Sequence, residues 1–97
     1  MTVNVERNNG LYKLAIEGEM TVLTSAELKR HLLYNLENCS KLEIDLSQVS
    51  EMDSAGFQLL FLTKREAIYS GKIMRITSHS EATSSVLELY NMHGEVF

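Results

Sequence analysis

An acidic stretch in the middle of the chain leads into a serine, and it holds the residues best suited to chemistry. The pattern predicts a strand ending just after Asp45, a short loop with further acids, and a helix that begins at Asp53-Ser54. The Ser54 hydroxyl suits a helix N-cap, where it accepts a hydrogen bond from a free backbone amide. A helix N-terminus also accommodates negative charge, so the helix would tolerate a phosphate on Ser54. A partner docked next to Asp45, Glu51 and Asp53 would then meet a sharply changed electrostatic field, because a phosphate adds about −1.5 to −2 charges.

The other residues with catalytic or ligating side chains form no recognisable site. His31, His79 and His93 lie far apart without ligand spacing, which argues against zinc, and the single Cys39 excludes an intramolecular disulfide. The acidic stretch could supply carboxylates to Mg²⁺, but a cluster without metal is the favoured interpretation. The sequence has no P-loop, no GxGxxG and no nucleophile beside an obvious base. We therefore expect no catalytic residue, no metal and no cofactor.

Length and composition limit the classes of protein to which this chain can belong. Its 97 residues predict one domain over residues 1–97, and a hydrophobic fraction of 44% is too high for disorder. Nine Lys and Arg against thirteen Asp and Glu give a net charge of −4, which argues against nucleic acid or an anionic membrane as a partner. The longest apolar run, residues 59–62, is far shorter than the roughly 20 residues of a membrane span. Since no signal peptide is visible either, we expect a cytoplasmic protein without direct membrane insertion.

Periodicity predicts the elements that position the acidic stretch. Alternating apolar residues indicate strands near residues 3–6, 12–18, 42–46 and 73–76, and an Asn9-Gly10 turn joins the first two as a hairpin. Between the second and third strands, Thr24 and Glu27 are spaced as a capping box, which predicts a helix running to about Asn38.

Two further helices are predicted in the second half of the chain. One runs from Ser54 to about Ser70 with Gly71 as its C-cap, and the last begins after Ser80 and ends at Gly94. Strands separated by such helices pair in parallel, whereas the hairpin pairs antiparallel. The predicted class is α/β, with a mixed sheet of four to five strands and three main helices. One face of the last helix is expected to carry Ala82, Val86, Leu89 and Tyr90.

The helix that begins at Ser54 has apolar residues on two arcs. The first arc, which we expect to lie in the core, consists of Phe57, Leu60, Phe61 and Ile68. The second arc, which we hypothesise to be part of a protein-docking surface, consists of Leu59, Leu62 and Tyr69.

The order of these motifs resembles that of the STAS domain family, to which bacterial anti-sigma factor antagonists belong. Asp45-Leu46-Ser47 is similar to the family's strand end, and Asp53-Ser54-Ala55-Gly56 is similar to the motif that opens the next helix. Upstream, Gly18-Glu19-Met20 resembles the stretch before the family's first helix. Ala55 departs from the pattern, because the family usually has Ser or Thr there. The resemblance implies a STAS-like fold over nearly the whole chain.

The resemblance also implies a function without catalysis. An anti-sigma factor that is a serine kinase would bind the unmodified domain and phosphorylate Ser54, and a phosphatase would reset it. The residues expected to contact the partner are Asp45, Glu51, Asp53, Ser54, Ala55, Gly56, Leu59 and Leu62. STAS domains also serve as subunits of phospholipid-transport ABC complexes and as adaptors in chemotaxis signalling arrays. An ABC transporter ATPase or chemotaxis proteins are therefore the alternative partners.

Overall fold

The computed structural model describes residues 1–90 and follows the predicted element order. The strands and helices are β1 (Thr2–Asn8), β2 (Leu11–Met20), α1 (Ser25–Asn38), β3 (Lys41–Met52), α2 (Ser54–Tyr69), β4 (Ile73–His79) and α3 (Glu81–Leu89). The sheet has four strands in the order β1-β2-β3-β4, with an antiparallel β1–β2 pair and parallel β2–β3 and β3–β4 pairs. The predicted α/β class with a mixed sheet is therefore confirmed.

The sheet is buried on one face only. Alternate residues of the strands point into a single apolar cluster that also contains residues of α1, α2 and α3. The completely buried strand residues in this cluster are Ile16, Met20, Leu42, Ile44, Leu46 and Met74. The intervening residues, among them Lys13, Glu17 and Arg75, are exposed on the opposite face. This alternation gives a two-layer protein with a helical side and an open polar side.

Backbone geometry at two turns agrees with the sequence. Asn9 and Gly10 have φ values of 50° and 88°, as the two central residues of a tight hairpin turn require. At the end of α2, Gly71 has a φ of 69° and its N–H donates to the Ile68 carbonyl at 3.2 Å. The Lys72 N–H donates to the Ala67 carbonyl at 2.8 Å, which completes a Schellman motif.

The predicted capping box at the start of α1 is wrong. Thr24 is the N-cap residue, but its side chain makes no capping hydrogen bond. Its hydroxyl instead donates to the Glu19 carbonyl at 2.9 Å and accepts from the Thr21 N–H at 3.1 Å. The hydroxyl therefore closes the turn between β2 and α1 rather than capping the helix.

The predicted core faces of α2 and α3 are partly wrong. Phe57 and Leu60 are buried, but Phe61 and Ile68 are 41% and 65% exposed. The buried face of α2 instead includes Thr63. Its hydroxyl donates to the Leu59 carbonyl at 2.7 Å, so the side chain is buried without an unpaired polar group. In α3 the buried residues are Thr83 and Leu87 rather than Leu89, which is exposed, and the predicted end at Gly94 lies outside the described residues.

Candidate functional site at the start of helix α2

Strand β3 is longer than predicted, and its length separates the acidic residues. The strand continues to Met52, so the expected acidic loop does not exist. Asp45 lies on the order of 20 Å before the end of the strand, at about 3.3 Å per residue. Its carboxylate accepts from the Ser47 N–H at 2.8 Å, and it lines the open polar face of the sheet with Lys13. The expectation that Asp45 lies close to Ser54 is therefore wrong. Glu51, in contrast, is exposed near the end of β3, where it pairs with Glu19 of β2.

A broken alternation explains why the sequence pattern missed the second half of β3. After Leu46 the buried residues are Val49 and Met52, three positions apart each time. The pairing of β2 with β3 shifts register twice, between Ala15 and Glu17 and again between Gly18 and Glu19. Such irregularities insert extra residues and interrupt the two-residue period by which a strand is recognised.

Asp53, not Ser54, is the N-cap of α2. Its Oδ1 accepts from the N–H groups of Ala55 at 2.9 Å and Gly56 at 3.1 Å, and its Oδ2 accepts from the Val22 N–H at 3.0 Å. Hydrogen bonds from the N–H groups of Val22, Gly56 and Ala55 lower the pKa of Asp53 below its ordinary value of 3.8, although desolvation acts in the opposite direction. Asp53 is therefore an anion at neutral pH, and it already uses the amides that the sequence pattern left free.

Ser54 is the first residue of α2 and is exposed. No hydrogen bond of its hydroxyl is found within residues 1–90, because the capping role has passed to Asp53. The side chain lies where the parallel strands β2 and β3 end, which is the edge of an open α/β sheet at which ligands and partners commonly bind. The hydroxyl is thus accessible from solvent at this edge.

Gly56 brings the first turn of α2 directly against the end of β2. A Cβ on Gly56 would lie well under 3.0 Å from the Met20 carbonyl oxygen, a distance that real Cβ atoms essentially never show. The Asp53 N–H also donates to this carbonyl at 3.3 Å. The absence of a side chain at Gly56 therefore sets the position of Ser54 relative to the turn that follows β2.

An apolar groove of about 640 Å³ crosses the outer side of α2. The residues that line it are Ser25, Ala55, Phe57, Gln58, Leu59, Phe61, Leu62, Arg65 and Tyr90. The predicted docking residues Leu59 and Leu62 are both among them, whereas Tyr69 is not. Among residues 1–90, Arg65 is the sole charged residue of this lining, so the described part of the groove offers apolar contacts with one cationic group.

Sequence patterns did not indicate Tyr90 as a groove residue, nor the exposed Val22–Leu23 turn, which lies outside the groove lining. Tyr90 reaches the groove by stacking on Phe57, with ring centroids 4.2 Å apart and planes inclined by 4°. Such a contact depends on how α3 packs on α2, which no local pattern encodes. Val22 and Leu23 form a turn that is 67% and 86% exposed, and this apolar pair directly before a helix was the available signal.

Residues 1–90 hold neither a candidate metal cluster nor a candidate membrane-spanning helix. Within residues 1–90, no three His, Cys, Asp or Glu side chains are grouped so that they could hold a metal ion. In the same part of the chain, no helix is both long enough and apolar enough to cross a membrane.

Comparison with known proteins identifies the family. A family model described as "Mlab, STAS domain" matches residues 3–97. The chain belongs to the STAS domain family. This membership confirms the resemblance to the STAS domain family that the order of the motifs indicated.

Solved structures of anti-sigma factor antagonists have the same fold. The antagonist from Mycobacterium paratuberculosis superposes with a TM-score of 0.82 at 24% identity, covering 94% of this chain and 78% of that one. The antagonist SpoIIAA in its unphosphorylated form gives a TM-score of 0.79 at 14% identity, covering 94% and 82%. The phosphorylated form of SpoIIAA from Bacillus gives 0.75 at 14% identity, covering 94% and 85%. At these identities the likeness establishes the fold of the STAS domain.

Proposed function

We propose that this STAS domain is a non-enzymatic signalling switch that binds a serine-kinase anti-sigma factor in the cytoplasm and is regulated by phosphorylation of Ser54. The observation that carries the proposal is the exposed Ser54 hydroxyl, which begins α2 beside the apolar groove and the apolar Val22–Leu23 turn. The fold shared with antagonists whose structures include a phosphorylated form supports it. A phosphatase would complete the cycle.

The proposed modification is a phosphoryl transfer from ATP. The Ser54 Oγ attacks the γ-phosphorus, an O–P bond forms, and the bond from that phosphorus to the β,γ-bridging oxygen breaks, so that ADP leaves. The hydroxyl proton passes to a base of the kinase or to water. The STAS domain supplies the acceptor oxygen and the surface that the kinase holds, and the kinase supplies the catalytic groups.

The partner surface in this proposal has an apolar and a charged part. The groove residues Leu59, Leu62 and Phe61 supply the apolar contact area, and the exposed Glu51 lies near Ser54 at the end of β3. Asp53, Ala55 and Gly56 contribute mainly by fixing the first turn of α2. Asp45 is left out of this surface, because the length of β3 places it elsewhere.

We expect the cognate kinase to transfer a single phosphate from ATP to Ser54, because this hydroxyl is exposed and lacks an intramolecular partner within residues 1–90. Radiolabelled ATP with intact-mass and peptide mass spectrometry would locate the phosphate. Ser54→Ala should abolish labelling, and the matched Ser50→Ala variant, which removes an exposed hydroxyl from β3, should keep it. Labelling that persists in Ser54→Ala would contradict the assignment.

We expect Phe61→Glu to weaken kinase binding by about 30-fold, because it replaces an apolar lining residue of the groove with a carboxylate. Phe61 is a better probe than Leu59, since Leu59 packs partly against the core and its replacement would also affect folding. Ile68→Glu is the matched control, because Ile68 lies exposed on the same helix and outside the groove lining. Isothermal titration calorimetry would compare the two variants, and equal affinities for both would exclude the groove as the contact surface.

A second candidate is a constitutive adaptor in a phospholipid-transport ABC complex or a chemotaxis array. Two observations favour it: the matching family description names Mlab rather than an anti-sigma factor antagonist, and Ala55 leaves only one hydroxyl at the start of α2. In that case Ser54 would be a contact residue rather than a phosphate acceptor, and an ABC transporter ATPase or chemotaxis proteins would be the partners. The response of partner binding to a negative charge at Ser54 distinguishes the two candidates.

A further inference from the structure

The Asp53 carboxylate joins two segments that are distant in sequence. Oδ1 holds the Ala55 and Gly56 N–H groups inside α2, and Oδ2 holds the Val22 N–H, 31 residues earlier in the chain. Val22 and Leu23 are among the most exposed large apolar residues of the described chain. One side chain therefore both caps the helix that begins with Ser54 and holds the apolar turn against it.

The turn itself is closed by its own hydrogen bonds. The Thr24 N–H donates to the Thr21 carbonyl at 3.0 Å, and the Thr24 hydroxyl bonds to Thr21 and Glu19. The Ser25 hydroxyl donates to the Val22 carbonyl at 3.0 Å. The turn is therefore closed by its own hydrogen bonds and by one to Glu19 of β2, and the bond from the Val22 N–H to Asp53 links it to α2.

A phosphate on Ser54 would compete with Asp53 for the same donors. The phosphate would stand on the residue next to an ionised carboxylate whose Oδ1 already takes the Ala55 and Gly56 amides. It carries more negative charge than a carboxylate and has three acceptor oxygens, and a helix N-terminus favours the stronger anion. The two anions also repel each other across this short distance.

We propose that Asp53 is a positioning residue that couples the chemical state of Ser54 to the position of the Val22–Leu23 turn. The phosphate takes over the amides of the first turn of α2, and the displaced Asp53 carboxylate releases the Val22 N–H. The partner would then meet an altered apolar surface as well as an added charge. This coupling rests on the phosphorylation of Ser54 proposed above.

The test installs phosphoserine in place of Ser54 during translation and follows amide hydrogen exchange by NMR. We expect protection of the Val22 amide, relative to that of Ile44 in the core, to fall by at least about tenfold, because the amide loses a hydrogen bond to a charged acceptor. Phosphoserine in place of Ser85, an exposed residue of α3, is the matched control and should leave Val22 protected. Val22 protection that stays within about twofold of the unmodified protein after phosphoserine replaces Ser54 would overturn the coupling.

Asp53→Asn supplies an independent arm of the same experiment. Asparagine is as good an N-cap as aspartate, so α2 should remain capped, but its amide nitrogen cannot accept from Val22 where Oδ2 did. Val22 protection should therefore fall without any phosphate, and retained protection in this variant would show that Asp53 does not hold the turn. Since no kinase is needed in either arm, failure of the coupling is distinguishable from failure of the labelling experiment that tests the proposed function.

Discussion

Gly56→Ala should lower the free energy of unfolding by about 3 kcal/mol and the melting temperature by roughly 15 °C. The new Cβ would be forced against the Met20 carbonyl oxygen, a backbone atom that cannot rotate away. Helix propensity alone predicts the opposite sign, since alanine is favoured over glycine inside a helix by about 1 kcal/mol. The contact outweighs this preference because the start of α2 and the end of β2 are both fixed by the hydrogen bonds of Asp53.

Gly71→Ala is the matched control for this prediction. Gly71 has a φ of 69°, but a Cβ added there would meet no heavy atom within 4 Å. The destabilisation by alanine would therefore come only from the strain of the left-handed backbone conformation. That strain amounts to about 1 kcal/mol. Differential scanning calorimetry and urea unfolding would compare both variants with the wild type. A Gly56→Ala protein as stable as the wild type would show that α2 can move away from Met20.

Ser54→Asp should weaken binding to the kinase by about 100-fold, because it adds a second carboxylate beside Asp53 on the face that the partner must approach. Ser54→Ala removes the same hydroxyl without adding charge, and its affinity should stay within about threefold of the wild type. Isothermal titration calorimetry at low and high salt would separate charge repulsion from loss of fold, since screening should restore part of the affinity lost by Ser54→Asp.

The same pair of variants decides between the switch and the adaptor. A switch requires that negative charge at Ser54 releases the partner. A constitutive adaptor requires only that its surface is complementary to that of the partner, so Ser54→Asp and Ser54→Ala would bind the partner with equal affinity. Equal affinity of the two variants for a transporter ATPase or a chemotaxis protein would therefore contradict regulation at Ser54 and favour the second candidate.

The element order could be predicted because each element carries a local signal. The Asn9-Gly10 turn and the Gly71 C-cap are glycine positions with positive φ, and both were recognisable from residue type. The buried alternation of Leu42, Ile44 and Leu46 likewise identified the first half of β3. These features depend on residues close together in sequence.

The details of the site depend on contacts that sequence patterns do not contain. Asp53 and Ser54 are both good N-cap residues, and only the position of the Val22 N–H shows why the carboxylate takes the cap. Thr63 can lie on the buried face of α2 because its hydroxyl bonds to the preceding turn of the helix. Phe61 is exposed instead, although apolar periodicity predicted that it would be buried. The register shifts between β2 and β3 interrupt the alternation after Leu46, so the sequence pattern did not indicate the extension of β3 that separates Asp45 from Ser54.

The open polar side of the sheet makes this protein convenient to follow in solution. Cys39 is the only cysteine of the sequence and is buried, with burial raising the pKa of its thiol, so it should react slowly with maleimides. A cysteine introduced by Glu17→Cys would stand exposed on the face opposite the helices. A fluorophore or surface tether attached there would leave the groove, the Val22–Leu23 turn and Ser54 unobstructed for optical binding measurements.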